Sequence, residues 1–283
     1  MADRVRIYPG FEALVESLGL THAAAAPEFS RGELVKSTGT SRVLRFRDPE
    51  ESGDLYYLKL YRYPHLRPRI KYALRRSRAR VEFDALVWLQ AAGLPGVVPV
   101  ACGSHRVCRM VHSSFLLTRG VEGAKNLDQF LPAFNELERT PTWLDRKRQG
   151  IKDLAALIGR MHQGGFYDGD LFFRNILTAE PQDPTAPLPW WFLDHPTARV
   201  ISPDHPAARH EATAVDLACL DLDAARYVSR PDRLRFFLAA RGASSCGPEE
   251  RKLLGKVHEV CEALQQKRDR KQERRRRKGR SRD

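Results

Sequence analysis

The sequence lacks the features of a disulfide-stabilised, metal-clustered or membrane-spanning protein. Its five cysteines include no CxxC pair and no metal-type spacing with histidine, which predicts reduced thiols and no disulfide framework. No segment approaches the roughly 20 apolar residues of a transmembrane helix. The start, MADRVRIYPGFEALVESLGL, has no continuous apolar run, so we expect a cytoplasmic protein without a signal peptide.

Acidic residues are scarce at the C-terminus. Residues 267–283 contain eleven Lys/Arg and three Asp/Glu, which is +8 of the chain's net charge of +13. Such a run is usually disordered or the solvated end of a helix, and we predict a disordered tail. Its charge suits phospholipid head groups, lipopolysaccharide phosphates or nucleic acid alike. The tail has no aromatic residue for base stacking, and we expect no specific nucleic-acid partner.

The pattern of strands and helices changes near residue 120. Residues 31–61 predict three strands separated by polar turns, and a helix over 68–91 and two more strands follow. After Gly123 the apolar residues recur at helical spacing. We therefore predict an α+β protein with a β-rich N-lobe containing one helix and a mainly helical C-lobe. The predicted parts are an N-terminal extension (1–30), the N-lobe (31–120), the C-lobe (121–266) and the basic tail (267–283).

Five polar residues stand out against this background. Lys59 lies inside the apolar strand YYLKLY, and Glu82 lies near the apolar side of the following helix. Buried charges are costly unless they are paired, so we predict that these two pair with each other. Asp170 and Asn175 occupy the loop DGDLFFRN, and Asp194 ends the strand WWFLD.

Phosphoryl transfer from a nucleotide needs this set of residue types. It needs a lysine on the α/β-phosphates, oxygen ligands for Mg²⁺, and a carboxylate that accepts the proton of the attacked hydroxyl. Lys59 with Glu82 would bind ATP, Asn175 and Asp194 would hold the metal, and Asp170 would be the catalytic base. Each residue alone is weak evidence, but the order strand, helix, loop, strand is the one this chemistry requires.

The sequence resembles the protein kinase-like superfamily over most of residues 31–225. Within that superfamily it is similar, over roughly residues 31–241, to the lipopolysaccharide core kinases of the Kdo/WaaP type. The matching segments are YYLKLYR, VEFDALVWLQAAGLPGVVPVACG, LIGRMHQGGFYDGDLFFRNILT, WWFLD and RPDRLRFFLAARG. The resemblance implies a two-lobe kinase-like fold with Asp170 as the catalytic aspartate and with Asn175 and Asp194 at the metal. It also implies that Asp216, in AVDLACLD, is the buried aspartate that braces the catalytic loop.

Several kinase features are missing. Asp168 and Gly169 replace the histidine and arginine of the HRD motif, so we expect no activation by loop phosphorylation and interpret Asp168 as structural support. His195 and Pro196 replace the Phe and Gly of DFG, and there is no APE motif. The GxGxxG fingerprint is absent too, and the segment that could still cradle phosphate consists of Ser37, Thr38, Gly39 and Thr40.

The resemblance implies an ATP- and Mg²⁺-dependent kinase of a heptose or Kdo hydroxyl in the lipopolysaccharide inner core. Its acceptor would be lipid-linked, and the enzyme would lie on the inner face of the inner membrane. A basic cluster could bind the acceptor or the anionic membrane surface. Its members are Arg62, Arg67, Arg69, Lys71, Arg75 and Arg76. Two alternatives stay open: a kinase of a soluble small molecule, of the aminoglycoside or choline type, and a pseudokinase-like binding module.

Overall fold

The chain divides into two compact units. In this computed structural model, unit 1 comprises Met1–Ala124 and Trp191–Ala198, and unit 2 comprises Lys125–Trp190 and Arg199–Asp283. The structure describes residues 4–48, 53–73, 75–137, 140–181, 183 and 186–280. Unit 1 contains an antiparallel sheet and unit 2 is mainly helical, which confirms the predicted α+β class.

The sheet of unit 1 has six antiparallel strands. They are β1 (Arg4–Ile7), β2 (Glu33–Thr38), β3 (Ser41–Arg47), β4 (Leu55–Arg62), β5 (Pro99–Val107) and β6 (Met110–Arg119). Their order in the sheet is β1-β5-β6-β4-β3-β2. Strand β4 therefore lies between two partners, with Lys59 opposite Val43 on one side and Leu116 on the other. Alternate side chains of a strand face opposite sides, so the apolar Leu58 and Leu60 enter the core while Lys59 lies on the other face.

The predicted N-terminal extension belongs to unit 1. Strand β1 pairs with β5, and helix α1 (Glu12–Ser17) follows it. Val15 and Leu20 are 0% and 1% exposed and pack in the same core cluster as Leu58 and Phe115. The described residues 4–30 of the predicted N-terminal extension therefore contribute a strand and core side chains to unit 1. The four-residue strand is too short to give a clear periodic signal.

The helix predicted over 68–91 is two helices, α2 (Leu66–Lys71) and α3 (Arg78–Ala91). The backbone carbonyls of Tyr72 and Arg75, between the two helices, accept hydrogen bonds from the Arg106 guanidinium (3.0 Å each). Ser77 then begins α3 as its N-cap, because its hydroxyl accepts from the backbone N–H of Arg80 (3.3 Å). The apolar periodicity continues across this break, so the sequence pattern did not reveal it.

Unit 2 is built from helices and short strands. Its strands are β7 (Lys125–Asn126), β8 (Phe166–Tyr167), β9 (Ile176–Thr178), the start of β10 (Trp190–Phe192) and β11 (Arg199–Val200). Its helices are α4 (Leu127–Glu136), α5 (Pro141–Gln163), α6 (Pro206–Ala224), α7 (Arg230–Arg241) and α8 (Pro248–Arg280). Helix α5 packs against α7, and α6 against α8. A Cβ at Gly159 would lie 2.8 Å from the carbonyl oxygen of Ala240, so the close approach of α5 and α7 requires glycine there.

The basic tail continues α8 as far as Arg280. The predicted disorder is therefore not what the structure shows, and the helix-end alternative applies; residues 281–283 lie outside the described part. Lys, Arg, Glu and Gln are good helix formers, and i,i+4 contacts such as Gln265 to Asp269 (2.9 Å) add support. None of the helices in the described ranges has both the length and the apolar character to span a membrane.

Candidate active site

Lys59 is the centre of a charged cluster in unit 1. Its ammonium lies 3.1 Å from Oε2 of Glu82 and also contacts Oδ1 of Asp194. Glu82 is only 1% exposed, and Tyr61, two residues along β4 from Lys59, donates its hydroxyl to Glu82 Oε1. The predicted pairing of Lys59 with Glu82 is therefore present, and the structure adds Asp194 and Tyr61 to it.

The burial of this cluster sets the protonation of its members. Burial alone would lower the pKa of Lys59, but the carboxylates of Glu82 and Asp194 outweigh it and the pKa is raised. Burial raises the pKa of Glu82, and the positive charge of Lys59 only partly offsets it. Burial would also raise the pKa of Asp194, but the charge of Lys59 outweighs it and the pKa is lowered. The cluster thus favours a charged Lys59 and a charged Asp194.

Asp194 has a left-handed backbone, with φ at 63°. Asp194 follows two residues after Phe192, the last residue of β10. The backbone carbonyl of Phe192 accepts from the N–H of Val97 (3.0 Å), and its N–H donates to the carbonyl of Pro95 (2.8 Å), both within unit 1. A non-glycine residue in this region carries conformational strain, which surrounding contacts must hold. The next residue, His195, is 0% exposed, so the turn that presents Asp194 is anchored in the interior.

The predicted phosphate-binding segment is the turn of the β2–β3 hairpin. Thr38 and Ser41 are paired, and the Thr38 hydroxyl accepts from the backbone N–H of Thr40 (3.4 Å) and of Ser41 (3.0 Å). Ser37, Thr38, Gly39 and Thr40 are all exposed. Two backbone donors that a phosphate would need are thus engaged by Thr38 in this structure.

In unit 2, Asp216 holds the loop that carries Asp168 and Asp170. Asp216 is 0% exposed and accepts from the backbone N–H of Asp168 (3.1 Å) and Gly169 (2.7 Å). Its Oδ2 also lies 3.0 Å from Nε2 of His162 at the end of α5. Asp168 is itself 0% exposed, and its Oδ1 accepts from the backbone N–H of Asp170 (3.3 Å). Both aspartates therefore bind backbone N–H groups of the loop, and Asp168 has no access to solvent.

Asp170 is more exposed than Asp168, and two side chains orient it. Arg174 Nη2 lies 2.9 Å from each carboxylate oxygen. The Asn175 amide nitrogen donates to the backbone carbonyl of Asp170 (2.8 Å) and to its Oδ2 (3.2 Å). These contacts use the nitrogen of Asn175, whereas a metal ligand would use its oxygen.

Sequence reasoning missed a second layer of contacts behind this loop. Two guanidinium groups lie over the ring of Phe172, that of Arg174 at 4.2 Å and that of Arg268 at 4.8 Å from the ring centroid. Asp223, 4% exposed, accepts from the backbone N–H of Phe173 (3.0 Å) and from Arg268 (2.8 Å). The only sequence signal was the acidic spacing in DLACLDLD. Arg268 lay inside the tail predicted to be disordered.

A family model described as the lipopolysaccharide kinase (Kdo/WaaP) family matches residues 28–230. The chain belongs to this family. It is therefore a kinase, a phosphotransferase of lipopolysaccharide metabolism, and the predicted family is confirmed.

A solved structure shows the same fold as this kinase. It is described as "WaaP in complex with acyl carrier protein" and matches with a TM-score of 0.67 and 22% identity, covering 92% of this chain and 99% of that one. Comparison with curated proteins finds no significant match.

The candidate site contains side-chain oxygens of the kind that bind the Mg²⁺ of a nucleotide. Family membership implies the use of ATP. No cluster of three or more His, Cys, Asp or Glu with metal-site geometry occurs among the described residues. Mg²⁺ in a nucleotide site needs only one or two protein oxygens, because phosphates and water supply the rest. The charged carboxylate of Asp194 and the oriented amide of Asn175 are donors of this type.

The basic cluster of the kinase lies on and around α2. Two of its predicted members are engaged within unit 1: Arg69 donates to the carbonyl of Tyr63 (2.7 Å), and Arg76 to Asp84 (3.0 Å). The other members, Arg62, Arg67, Lys71 and Arg75, are exposed, as is Arg76.

Proposed function

We propose that this kinase transfers the γ-phosphoryl group of ATP to a heptose or Kdo hydroxyl of the lipopolysaccharide inner core. The observation that carries the proposal is the buried Lys59–Glu82 pair with Asp194, in a chain of the Kdo/WaaP family. A lysine kept charged by a buried carboxylate is what phosphate binding requires.

In the proposed reaction, unit 1 binds the nucleotide. Lys59, held by Glu82 and Tyr61, binds the α/β-phosphates, and the turn from Ser37 to Thr40 covers them. Asp194 supplies a carboxylate ligand for Mg²⁺. Lys59 contacts Asp194 here, so it would exchange part of this contact for phosphate oxygens.

The loop of unit 2 binds the acceptor hydroxyl in the same reaction. Asp170 accepts a hydrogen bond from the attacking hydroxyl and takes its proton, and Arg174 keeps its carboxylate oriented. Asn175 offers its amide oxygen to Mg²⁺, and Asp168 and Asp216 hold the backbone of the loop. The cation would neutralise charge on the phosphates during transfer. Catalysis by these residues is mostly positioning and charge stabilisation.

The test is phosphate incorporation into purified lipid A–core by the wild type and by Asp170→Ala. We expect incorporation of phosphate by the wild type and by the control Asp145→Ala, an exposed aspartate of α5 in the same unit. Asp170→Ala should retain ATP binding, seen as thermal stabilisation by Mg-ATP, and lose transfer. Equal incorporation by Asp170→Ala would contradict the mechanism.

The same assay separates the two alternatives. Rapid phosphorylation of soluble amino-alcohols or aminoglycosides, without transfer to lipid A–core, would indicate a small-molecule kinase. Absence of both stabilisation by Mg-ATP and hydrolysis would indicate a pseudokinase-like module. Family membership favours the lipopolysaccharide acceptor, and we place the enzyme on the cytoplasmic face of the inner membrane, where ATP and a lipid-linked acceptor meet.

An acyl carrier protein is a further proposed partner. The structural relative was solved with one, and unit 2 of this chain contains an apolar cavity of about 350 Å³. Its walls include Phe130, Phe134 and Leu154, and its volume lies in the range of about 300–1,000 Å³ of ligand pockets. An apolar chain delivered by a carrier protein would be stabilised there by burial.

The partner is tested by filling the cavity. Val228 lines it, so Val228→Trp should abolish the thermal stabilisation that a long-chain acyl carrier protein gives to the wild type. Val200→Trp is the matched control, because Val200 is 60% exposed in the same unit. Equal stabilisation of all three proteins would exclude the cavity as the acyl site.

A further inference from the structure

Helix α2 exposes two large apolar side chains. Leu66 is 61% and Ile70 57% exposed, the two highest values among the large apolar residues that the structure describes in unit 1. They are four residues apart and so lie on one face of the helix. Such a pair is unfavourable in water and indicates a surface that is covered in use.

The opposite side of this segment is fastened to unit 1. Arg69 donates to the carbonyl of Tyr63 (2.7 Å), and the ring of Tyr72 packs edge-on against Tyr63 at 5.2 Å. The Arg106 guanidinium holds the carbonyl of Tyr72 (3.0 Å) just after the helix. These contacts fix the orientation of α2 and leave the face with Leu66 and Ile70 outward.

Cations surround the apolar pair. Residues 62–80 contain eight Lys/Arg and no Asp or Glu. Arg76 and Arg80 are paired with Asp84. Within the described ranges, no carboxylate lies at salt-bridge distance from the remaining exposed cations of this segment, which are Arg62, Arg67, Lys71, Arg75 and Arg78.

We propose that α2 docks on an anionic phospholipid surface, with Leu66 and Ile70 at the boundary between head groups and acyl chains. The proposal rests on the function proposed above and assigns its membrane contact to one element. The cations would bind lipid phosphates while the apolar pair leaves water, the usual arrangement of an interfacial helix. A bilayer needs no matching shape, so a single short helix suffices, whereas a stable protein interface buries about 800 Å² on each partner.

The apolar contribution is tested with the full-length protein and vesicles. Flotation with vesicles of phosphatidylcholine and phosphatidylglycerol should show binding by the wild type and at least about 10-fold weaker binding by Leu66→Ser/Ile70→Ser. The control Leu144→Ser, at a helical position 38% exposed in unit 2, should bind like the wild type. Vesicles of phosphatidylcholine alone should bind poorly, since they lack the negative charge.

The basic end of α8 also attracts anionic lipid, and salt separates the two contributions. Charge attraction is screened within a few ångströms at about 0.5 M salt, whereas burial of Leu66 and Ile70 is not. The difference between the wild type and the double serine variant should therefore persist at high salt. A difference that vanishes there would overturn insertion of the apolar pair.

A gain-of-signal variant keeps the proposal testable if the serine variant is unstable. Leu66→Trp should show quenching by lipids brominated near the head group, beyond that of the native tryptophans. Leu144→Trp should show none. Equal quenching of both would overturn the proposal.

Two further outcomes are distinguished. Unchanged vesicle binding with weakened binding to an acidic protein such as acyl carrier protein would assign this surface to a protein partner and overturn the proposal. Vesicle binding needs no catalysis, so α2-dependent binding without phosphoryl transfer would support docking and contradict the proposed function alone. Phosphoryl transfer to lipid A–core, together with vesicle binding that does not depend on Leu66 and Ile70, would support the proposed function and overturn the docking proposal.

Discussion

At the scale of single residues, a charged side chain inside an apolar element indicates a partner of opposite charge, as Lys59 and Glu82 show. Both were predicted to pair because neither could be buried alone, and they lie 3.1 Å apart. Tyr61 was not predicted, although its spacing of two residues from Lys59 places it on the same face of β4. Its hydroxyl donates to Glu82, so the pair is a network of three side chains with Asp194 beside it.

The Tyr61 phenol makes the stability of this network depend on pH. Burial first, and then the charge of Glu82, raise the pKa of Tyr61 well above its ordinary value of 10.0. The unfolded chain loses this proton near pH 10 while the folded chain keeps it, so ionisation favours unfolding as the pH rises above 10.

Tyr61→Phe should lower the free energy of unfolding at neutral pH by about 1.5–3 kcal/mol, since it removes a hydrogen bond to a buried carboxylate. This advantage of the wild type should shrink above pH 10, as measured by urea unfolding across pH. Tyr57→Phe, on the same strand without the Glu82 bond, is the control. A wild-type advantage that does not change with pH would contradict the argument.

Arg174 is a positioning residue for the proposed base. It contacts both oxygens of Asp170 at 2.9 Å, so Arg174→Ala should lower kcat by about 10–100-fold with little change in the KM for ATP. Arg174→Lys should restore part of the rate. Arg148→Ala, an exposed arginine of α5, should leave kcat unchanged. A full rate with Arg174→Ala would remove this residue from the proposed mechanism.

At the scale of elements, α8 supports the proposed catalytic loop. Arg268 joins Asp223 and the face of Phe172, and Asp223 binds the backbone N–H of Phe173. A helix that begins at Pro248 therefore reaches the loop only because it continues past residue 266. Composition alone predicted disorder there. It shows the excess of positive charge but not that Arg268 pairs with Asp223.

A truncated chain ending at Gln266 should be less stable than one ending at Arg270, which keeps Arg268. The loss should be about 1–3 kcal/mol, because Asp223 would stay buried with one partner fewer. Arg268→Ala should reproduce it, and Arg270→Ala, an exposed neighbour, should not. Thermal unfolding of the four proteins measures the difference, and equal melting temperatures would show that α8 does not support the loop.

The turn between β5 and β6 is strained. Cys108 and Arg109 have φ values of 49° and 66°, the two left-handed positions of a tight hairpin that glycine and asparagine favour. The sequence predicted two strands after residue 91 but did not place a turn here, because neither Cys108 nor Arg109 is a residue that favours turns. Tertiary pairing of the strands imposes the turn.

Arg109→Gly should raise the free energy of unfolding by about 1 kcal/mol, because glycine adopts a positive φ without steric cost. Arg109→Ala retains the Cβ and should not stabilise the protein. Chemical denaturation measures both variants. Stabilisation by alanine as well would indicate relief of charge repulsion instead of backbone strain.

At the scale of the whole molecule, the limits of the folded unit differ from the limits of the family match. The match begins at residue 28, yet β1 covers the edge of β5, and Leu20 is 1% exposed in the core of unit 1. The N-terminal residues are therefore part of the unit that carries Lys59.

Deletion of residues 1–27 should prevent cooperative unfolding of unit 1, since it uncovers a strand edge and opens the core. Leu20→Ala should cost about 2–4 kcal/mol, and the control Leu34→Ala, 50% exposed, much less. Circular dichroism during urea unfolding measures each. If the deletion variant unfolds like the wild type, the residues of the family match are sufficient to form the folded unit.

The bracing of the loop by Asp216 was implied by the family resemblance. The sequence by itself determined the α+β class, the change from strands to helices near residue 120 and the pairing of Lys59 with Glu82. These depend on local periodicity and on the cost of burying charge, which can be read from the order of residues. The roles of Lys59, Asp170, Asn175 and Asp194 in catalysis stay predictions. Only the tertiary structure decided that α2 and α3 are separate, that Arg174 and Arg268 both contact the ring of Phe172, and that Leu66 and Ile70 face outward. The reason is physical: each of these depends on a partner distant in sequence or on which face of an element the rest of the unit leaves uncovered.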